Sequence, residues 1–243
     1  DQQSNRVSAS LERAIEWRGH DFQYYYLLGL SHLETGQYEA AEASFRRSLE
    51  LHPHYALSLQ LLGRTLYYLQ REEEAIQILE QAAKLDPLED RVHSTLAMVY
   101  RRQGDHDQAI EVWTQALALE PRDAQFINGL GVEYSKVRRL KEAIAVLEQG
   151  VRIHPEEGLI QGNLGIFYFQ TGELAKAQNA LLLAADLMPD RMVWWRHLVR
   201  IYKRQGRLEE ALSKAEKDLK KSPKSVNLQL RVKSLRRALE KSK

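Results

Sequence analysis

The chain has 243 residues, of which 44% are hydrophobic and 28% charged, with 35 Lys and Arg against 33 Asp and Glu and no Cys. This balance is typical of folded proteins and excludes wholesale disorder, and the absence of Cys excludes disulfides, thiol nucleophiles and Cys-based zinc or iron–sulfur sites. No run approaches the roughly 18 apolar residues that a membrane-spanning helix needs, so we expect no such helix in this chain. The chain opens on Asp1 without an initiator Met, which predicts a processed or trimmed product.

Six prolines recur at a constant interval along the chain. Successive members of the series are 34 residues apart: Pro53, Pro87, Pro121, Pro155, Pro189 and Pro223. An interval this regular predicts an internal repeat. With the proline as position 32, six full repeats cover residues 22–55, 56–89, 90–123, 124–157, 158–191 and 192–225.

Each repeat has the pattern of a helix, a short turn and a second helix, because its apolar positions follow a helical period and no strand pattern occurs. Position 8 is Gly or Ala in five repeats and position 20 is Ala in all six, which predicts close packing of the two helices. Gly at position 15, present in four repeats, predicts a left-handed residue that ends the first helix. The proline ends the second helix, since it cannot donate the next backbone hydrogen bond.

The segments that flank the six repeats are also predicted to be helical. Residues 1–21 carry apolar side chains where the second helix of a preceding repeat would have them, and this predicts an N-terminal half repeat. These side chains are Val7, Leu11, Ala14 and Ile15. Residues 226–243 carry one apolar stripe among basic residues and predict a C-terminal capping helix. In the sixth repeat Val199 replaces the small residue of position 8, so we expect looser packing there.

The recurring Leu-Gly, Tyr, Gly, Ala and Pro positions resemble the tetratricopeptide repeat, over about 204 of the 243 residues. The resemblance implies an all-α fold, a right-handed superhelical α-solenoid of six full repeats with an N-terminal half repeat and a C-terminal capping helix. It also implies a role in binding other proteins, although a shared fold constrains function only weakly.

In tetratricopeptide repeats, positions 2, 5, 9 and 12 of each first helix face a concave groove, because these spacings place side chains on one helix face. Carried over to this chain, the implied groove is apolar and aromatic at first and basic in the last repeat. Asn163 at position 6 is added, since its amide could hydrogen-bond a peptide backbone. The candidate partner-binding residues are Tyr26, Leu30, Leu33, Gln60, Arg64, Tyr67, Ser94, Met98, Arg101, Asn128, Asn163, Ile166, Phe169, Arg196, Arg200 and Lys203.

Charge is unevenly distributed along the chain. Residues 190–243 contain 17 Lys and Arg against 6 Asp and Glu, a net charge of +11, whereas residues 1–189 contain 18 against 27, a net charge of −9. A basic end favours an acidic protein segment, an anionic surface or nucleic acid as the partner. A solvated helical cap explains the same lysines without any partner, so both interpretations stay open.

The sequence contains no His-Glu-x-x-His motif, phosphate-binding loop or nucleophile elbow. We therefore expect no enzyme activity, no cofactor and no metal site. The predicted function is a non-catalytic scaffold or adaptor for complex assembly that binds a peptide or protein segment in its groove, with an acidic segment favoured by the basic end. The alternatives are nucleic-acid or anionic-surface binding through the C-terminal end, and the recognition domain of a larger enzyme. Nucleic acid is the less favoured partner, because the groove lacks a regular polar code.

Two further properties stay open at this point. Trp194 and Trp195, or the N-terminal half repeat, could supply a patch for self-association. The lack of Cys fits an oxidising bacterial compartment outside the cytoplasm slightly better than the cytoplasm, and it decides neither.

Overall fold

The computed structural model describes residues 10, 11, 13, 15, 21–87 and 89–241. From Phe22 onwards the described residues form thirteen α-helices and no strand, which confirms the predicted all-α class. The predicted N-terminal half repeat lies largely outside the described residues, Val7 and Ala14 included, while Leu11 and Ile15 are helical. The helices are α1 (Phe22–Glu34), α2 (Tyr38–Leu51), α3 (Ala56–Tyr68), α4 (Glu72–Leu85), α5 (Asp90–Gln103), α6 (His106–Leu119), α7 (Ala124–Lys136), α8 (Leu140–Ile153), α9 (Gly158–Thr171), α10 (Leu174–Leu187), α11 (Met192–Arg204), α12 (Leu208–Lys221) and α13 (Val226–Glu240).

The chain divides into two compact units, an N-terminal unit that ends at Pro121 and a C-terminal unit that begins at Arg122. The N-terminal unit contains α1 to α6, and the C-terminal unit contains α7 to α13. Within each unit, every helix packs against the next one along the chain, and each odd-numbered helix also contacts the next odd-numbered helix. The first helices of successive repeats, α1, α3 and α5 or α7, α9 and α11, therefore lie side by side within their unit.

Local signals decide where the helices begin and end. Asp123 caps α7 by accepting a hydrogen bond from the backbone N–H of Phe126 at 2.7 Å, and such caps satisfy donors that the first turn leaves free. Position 15 has a positive φ in all six repeats, at Gly36, Gln70, Gly104, Arg138, Gly172 and Gly206. The four glycines confirm the predicted left-handed turn residue. Gln70 and Arg138, with φ of 60° and 62°, adopt the same conformation although it is disfavoured for residues with a Cβ.

Small residues at position 8 let the two helices of a repeat approach closely, as predicted. A Cβ atom on Gly29 would lie 2.7 Å from the Phe45 ring, and one on Gly63 would lie 2.4 Å from Leu79. Both partners occupy position 24 of the same repeat and are fully buried. The pairing of a missing side chain with a large one fills the space between the helices at interior packing density.

The sixth repeat reverses this pairing of sizes. Position 8 is Val199 and position 24 is Ala215, and α11 packs less closely against α12 than the other first helices pack against their partners. This agrees with the looser packing expected from Val199. Helix α11 is held instead by α13, because the indole N–H of Trp195 donates to Ser234 Oγ at 2.8 Å and the Arg231 guanidinium stacks 4.9 Å from the Trp195 ring.

Candidate functional site

The predicted groove residues of the N-terminal unit lie on α1, α3 and α5 and differ strongly in exposure. Leu33 is 7% exposed and Gln60 is 2% exposed, so these two offer almost no surface to a partner. Met98 is the most accessible of the set, at 37% exposure. The half-buried members are Tyr26, Leu30, Arg64, Tyr67, Ser94 and Arg101.

Tyr26 is part of an aromatic cluster rather than a freely exposed ring. It lies edge-on to Tyr55, with ring centroids 5.3 Å apart, and 6.5 Å from the Phe45 centroid. Burial, and to a smaller extent Tyr55, raise the pKa of the Tyr26 hydroxyl, and the charge of Arg91 opposes them. The hydroxyl therefore remains protonated at neutral pH and can donate a hydrogen bond.

Tyr67 is covered by an arginine from the next repeat. The Arg102 guanidinium lies 3.8 Å from the Tyr67 ring centroid, within the range of a cation–π contact. The same guanidinium is held by Glu72, with Arg102 Nε 2.8 Å from Glu72 Oε1. Arg102 thus covers one face of the Tyr67 ring, and Glu72 neutralises the Arg102 charge, so this group offers a partner no unpaired cation.

The C-terminal unit places the remaining predicted residues on α7, α9 and α11. The side-chain amides of Asn163 and Asn128 are joined, with Asn163 Nδ2 donating to Asn128 Oδ1 at 2.7 Å. This bond leaves Asn163 Oδ1 as an acceptor and Asn128 Nδ2 as a donor. A peptide backbone presents the complementary pair of groups. Ile166 and Phe169 follow Asn163 on α9, and both are half-buried.

Phe169 is the centre of a basic pocket, which we define as Phe169, Arg200, Lys203 and Arg204. These residues line an open depression of about 540 Å³. The Arg204 guanidinium stacks 4.5 Å from the Phe169 ring centroid. His197 lies edge-on to the same ring at 5.5 Å. The pocket therefore combines an apolar floor with three cationic side chains, all of them exposed.

The cations of this pocket have no carboxylate partner among the described residues. Helix α11 contains no Asp or Glu, and α9 contains no charged residue at all. Other surface arginines are paired in the structure: the half-buried Arg71 lies 2.7 Å from Glu42, and the exposed Arg207 lies 2.7 Å from Glu210. Charge repulsion among Arg196, Arg200, Lys203 and Arg204 is thus uncompensated in the described part of the chain, which favours binding of an anionic group.

Two residues of this site are absent from the sequence-based set. Arg204 follows Arg200 by four residues and so lies on the same face of α11, a spacing that could have revealed it. His197 contacts Phe169, and no sequence pattern distinguishes it from a core histidine. The same relation recurs in the N-terminal unit, because Arg102 and Arg204 both occupy position 13 and stack on the position 12 ring of the preceding repeat.

His197 is held in its neutral form. Burial is the main cause that lowers its pKa below 6.5, followed by the charges of Arg200 and Arg196. Its Nδ1 atom is buried without a hydrogen-bond partner in the described structure. The neutral imidazole thus adds no charge to the basic pocket at neutral pH.

Protonation of His197 is expected to lower the stability of the fold on mild acidification. The pKa of His197 is lower in the folded than in the unfolded state, so folding favours the neutral imidazole. The full stability is therefore present above the unfolded pKa of about 6.5, and part of it is lost as the pH falls through the folded pKa. We expect the melting temperature of the wild type to drop between about pH 7 and pH 5 more than that of His197→Gln, which cannot be protonated there. Arginine-bonded carboxylates such as Glu74, whose pKa is lowered, act in a more acidic window. Equal pH profiles for the two proteins would contradict this role of His197.

The described residues show neither a membrane-spanning helix nor a metal-binding cluster. None of the described helices is long and apolar enough to cross a membrane. No group of three or more His, Asp or Glu side chains within the described ranges is arranged to hold a metal ion. Trp194 and Trp195 are 2% and 5% exposed, so they present no surface for self-association.

The matching family models are all models of one repeat class. A model of the N-terminal TPR repeats region of Psidin matches residues 30–147, and two tetratricopeptide repeat models match residues 136–194 and 168–226. Among curated proteins, the BBSome complex member BBS4 of Xenopus tropicalis is 35% identical over 95 residues. That match covers 39% of this chain and only 18% of the length of BBS4.

Solved structures show the same fold at low sequence identity. The pilF protein of Pseudomonas aeruginosa matches with a TM-score of 0.67 and 19% identity. The match covers 86% of this chain and 95% of the pilF chain. YrrB, a TPR protein with an unusual peptide-binding site, matches with a TM-score of 0.59 and 20% identity, over 78% of this chain and 98% of its own. The 34-residue period, the helix pairs and these matches agree, and the chain belongs to the tetratricopeptide repeat family.

Proposed function

We propose that this protein is an interaction scaffold whose C-terminal unit binds an extended protein segment across α7, α9 and α11. The observation that carries the proposal is the order of chemistry on this surface: the Asn128–Asn163 amide pair, the half-buried Ile166 and Phe169, and then cations without partners. Members of this family are generally non-catalytic scaffolds, and the peptide-binding site of YrrB supports a peptide as ligand.

Each part of the surface has a distinct role in binding. The two amides bond the backbone of the segment, which fixes its direction and register without selecting side chains. Ile166 and Phe169 receive an apolar side chain, and burial of an aromatic anchor supplies most of the affinity in such interfaces. The cations of α11 receive an acidic side chain, steer association and set specificity.

A random peptide library displayed against the immobilised protein tests this proposal. We expect enriched peptides to carry an apolar residue followed by acidic ones and to bind with a Kd on the order of 1 μM, about −8 kcal/mol. Phe169→Ala and Asn163→Ala should each weaken the enriched peptides by about tenfold or more in calorimetry, because an anchor and a backbone contact are lost.

The matched control is Leu183→Ala, which removes an exposed apolar side chain from α10, a second helix outside this surface. It should leave the affinity unchanged. Enrichment of no peptide, or binding that is indifferent to both Phe169→Ala and Asn163→Ala, would refute the proposed function.

A further inference from the structure

The two position 13 arginines of the chain provide an internal comparison. In the N-terminal unit, Arg102 stacks on Tyr67 and is held by Glu72. In the C-terminal unit, Arg204 stacks on Phe169 in the same way, but position 17, where Glu72 stands, is occupied by Leu174. The arginine on the ring is therefore paired with a carboxylate of the protein in the N-terminal unit, whereas the equivalent arginine in the C-terminal unit has no such carboxylate at position 17.

Arg204 is also not the only cation left open. Arg200 and Lys203 line the same depression, and neither has an ion pair within the part of the chain that the structure describes. A single carboxylate has two oxygens and one charge, which would neutralise only a third of these cations. A phosphate monoester carries close to two charges at neutral pH and three terminal oxygens, and arginine forks bond such oxygens in a bidentate geometry.

From this geometry we infer that the basic pocket of Phe169, Arg200, Lys203 and Arg204 is a phosphate-binding site for a phosphorylated side chain of the bound protein segment. The inference rests on the proposed function, since it names the chemistry of the group that the segment places in this pocket. Arg200 and Arg204 hold the phosphate oxygens, Lys203 adds a third charged donor, and the Phe169 ring orients Arg204.

The neighbouring surface favours a protein segment over nucleic acid as the source of the phosphate. The amide pair and the apolar side chains of α9 fit a peptide backbone and side chain. A phosphodiester backbone would instead need a row of cations along its length, whereas α9 has no charged residue.

The test compares three blocked pentapeptides with a central phosphoserine, glutamate or serine between glycines. Binding is followed through the backbone amide resonances of α9 and α11 in NMR titrations of the full chain, and the side-chain N–H resonances of Arg200 and Arg204 are additional reporters where both arginines are present. We expect the phosphoserine peptide to bind at least about tenfold more tightly than the glutamate peptide, and the serine peptide to bind most weakly. Arg200→Lys with Arg204→Lys keeps the charge but removes the forks, and should reduce the preference for phosphoserine over glutamate.

The sharpest variant leaves every pocket residue in place. Leu174→Glu introduces a carboxylate at the position that Glu72 has in the other unit. It should form an ion pair with Arg204 and lower the affinity for the phosphoserine peptide by about tenfold. Leu174→Gln, which has the same size without the charge, is the control and should retain binding.

Several results would overturn the inference. Equal affinity for phosphoserine and glutamate would make the pocket a carboxylate site, and an equal effect of Leu174→Glu and Leu174→Gln would remove the argument from Glu72. Stronger binding of a single-stranded oligonucleotide, lost with Arg200→Lys and Arg204→Lys, would assign the pocket to nucleic acid. If binding of the library-selected peptides still depends on Asn163 and Phe169 while phosphoserine is not preferred over glutamate, the phosphate-binding inference is wrong and the proposed function is retained.

Discussion

Replacement of Trp194 by alanine is expected to lower the free energy of unfolding of the C-terminal unit by about 3–5 kcal/mol. Trp194 is 2% exposed and is the largest fully buried side chain among the described residues. It packs on α9 where Gly162 has no side chain, since a Cβ there would lie 2.2 Å from the indole. Its removal leaves a large cavity between α9 and α11 that rigid helices cannot close. Urea unfolding followed by far-UV circular dichroism measures the loss.

A double-mutant cycle with Gly162 checks the physical reason. In the wild type, Gly162→Ala should cost about 1–3 kcal/mol, because the new methyl group overlaps the indole. In the Trp194→Ala background the same methyl group enters the cavity, so its cost should vanish or turn into a gain. Additive effects of the two substitutions would mean that Gly162 and Trp194 do not share this contact.

Reversal of two charges in the basic pocket is expected to have the largest effect on binding. Arg200→Glu with Arg204→Glu should weaken the acidic peptides selected from the library by about 100-fold or more, roughly 2.7 kcal/mol. Attraction becomes repulsion at the position where the proposed segment would place its acidic group. Calorimetry at low and high salt measures the change in affinity. The difference in affinity between wild type and variant should shrink at high salt, because screening weakens both the attraction in the wild type and the repulsion in the variant.

The control for net charge is Lys220→Glu with Lys224→Glu. These exposed lysines lie at the end of α12 and in the turn that follows, and their reversal changes the net charge by the same amount. We expect less than about a threefold loss of affinity from this pair, since long-range attraction is screened. A comparable loss from both pairs would show that the basic end attracts anionic ligands as a whole and that the pocket has no special part.

The repeat and its helices follow from the sequence alone. Proline at position 32 and glycine at position 15 act through their own backbone, so their 34-residue spacing predicts where helices end without knowledge of any neighbour. The exchange of Gly for Val199 likewise predicts the looser sixth repeat, because position 8 always faces the second helix of its own repeat. Gln70 and Arg138 show the limit of such signals, since both take the left-handed conformation without a glycine.

Tertiary structure decided which of the predicted groove residues are accessible and which are paired. Leu33 and Gln60 share a helix face with accessible residues yet are buried, and Tyr67 is covered by Arg102. The amide pair of Asn128 and Asn163 also joins two different repeats. Burial and pairing of these side chains depend on residues about one repeat away, on helices that only packing brings into contact. The sequence by itself thus determined the repeat and its helix pairs through local backbone constraints, whereas only the tertiary structure decided which cations are paired with a carboxylate and which, like Arg204, have none among the described residues.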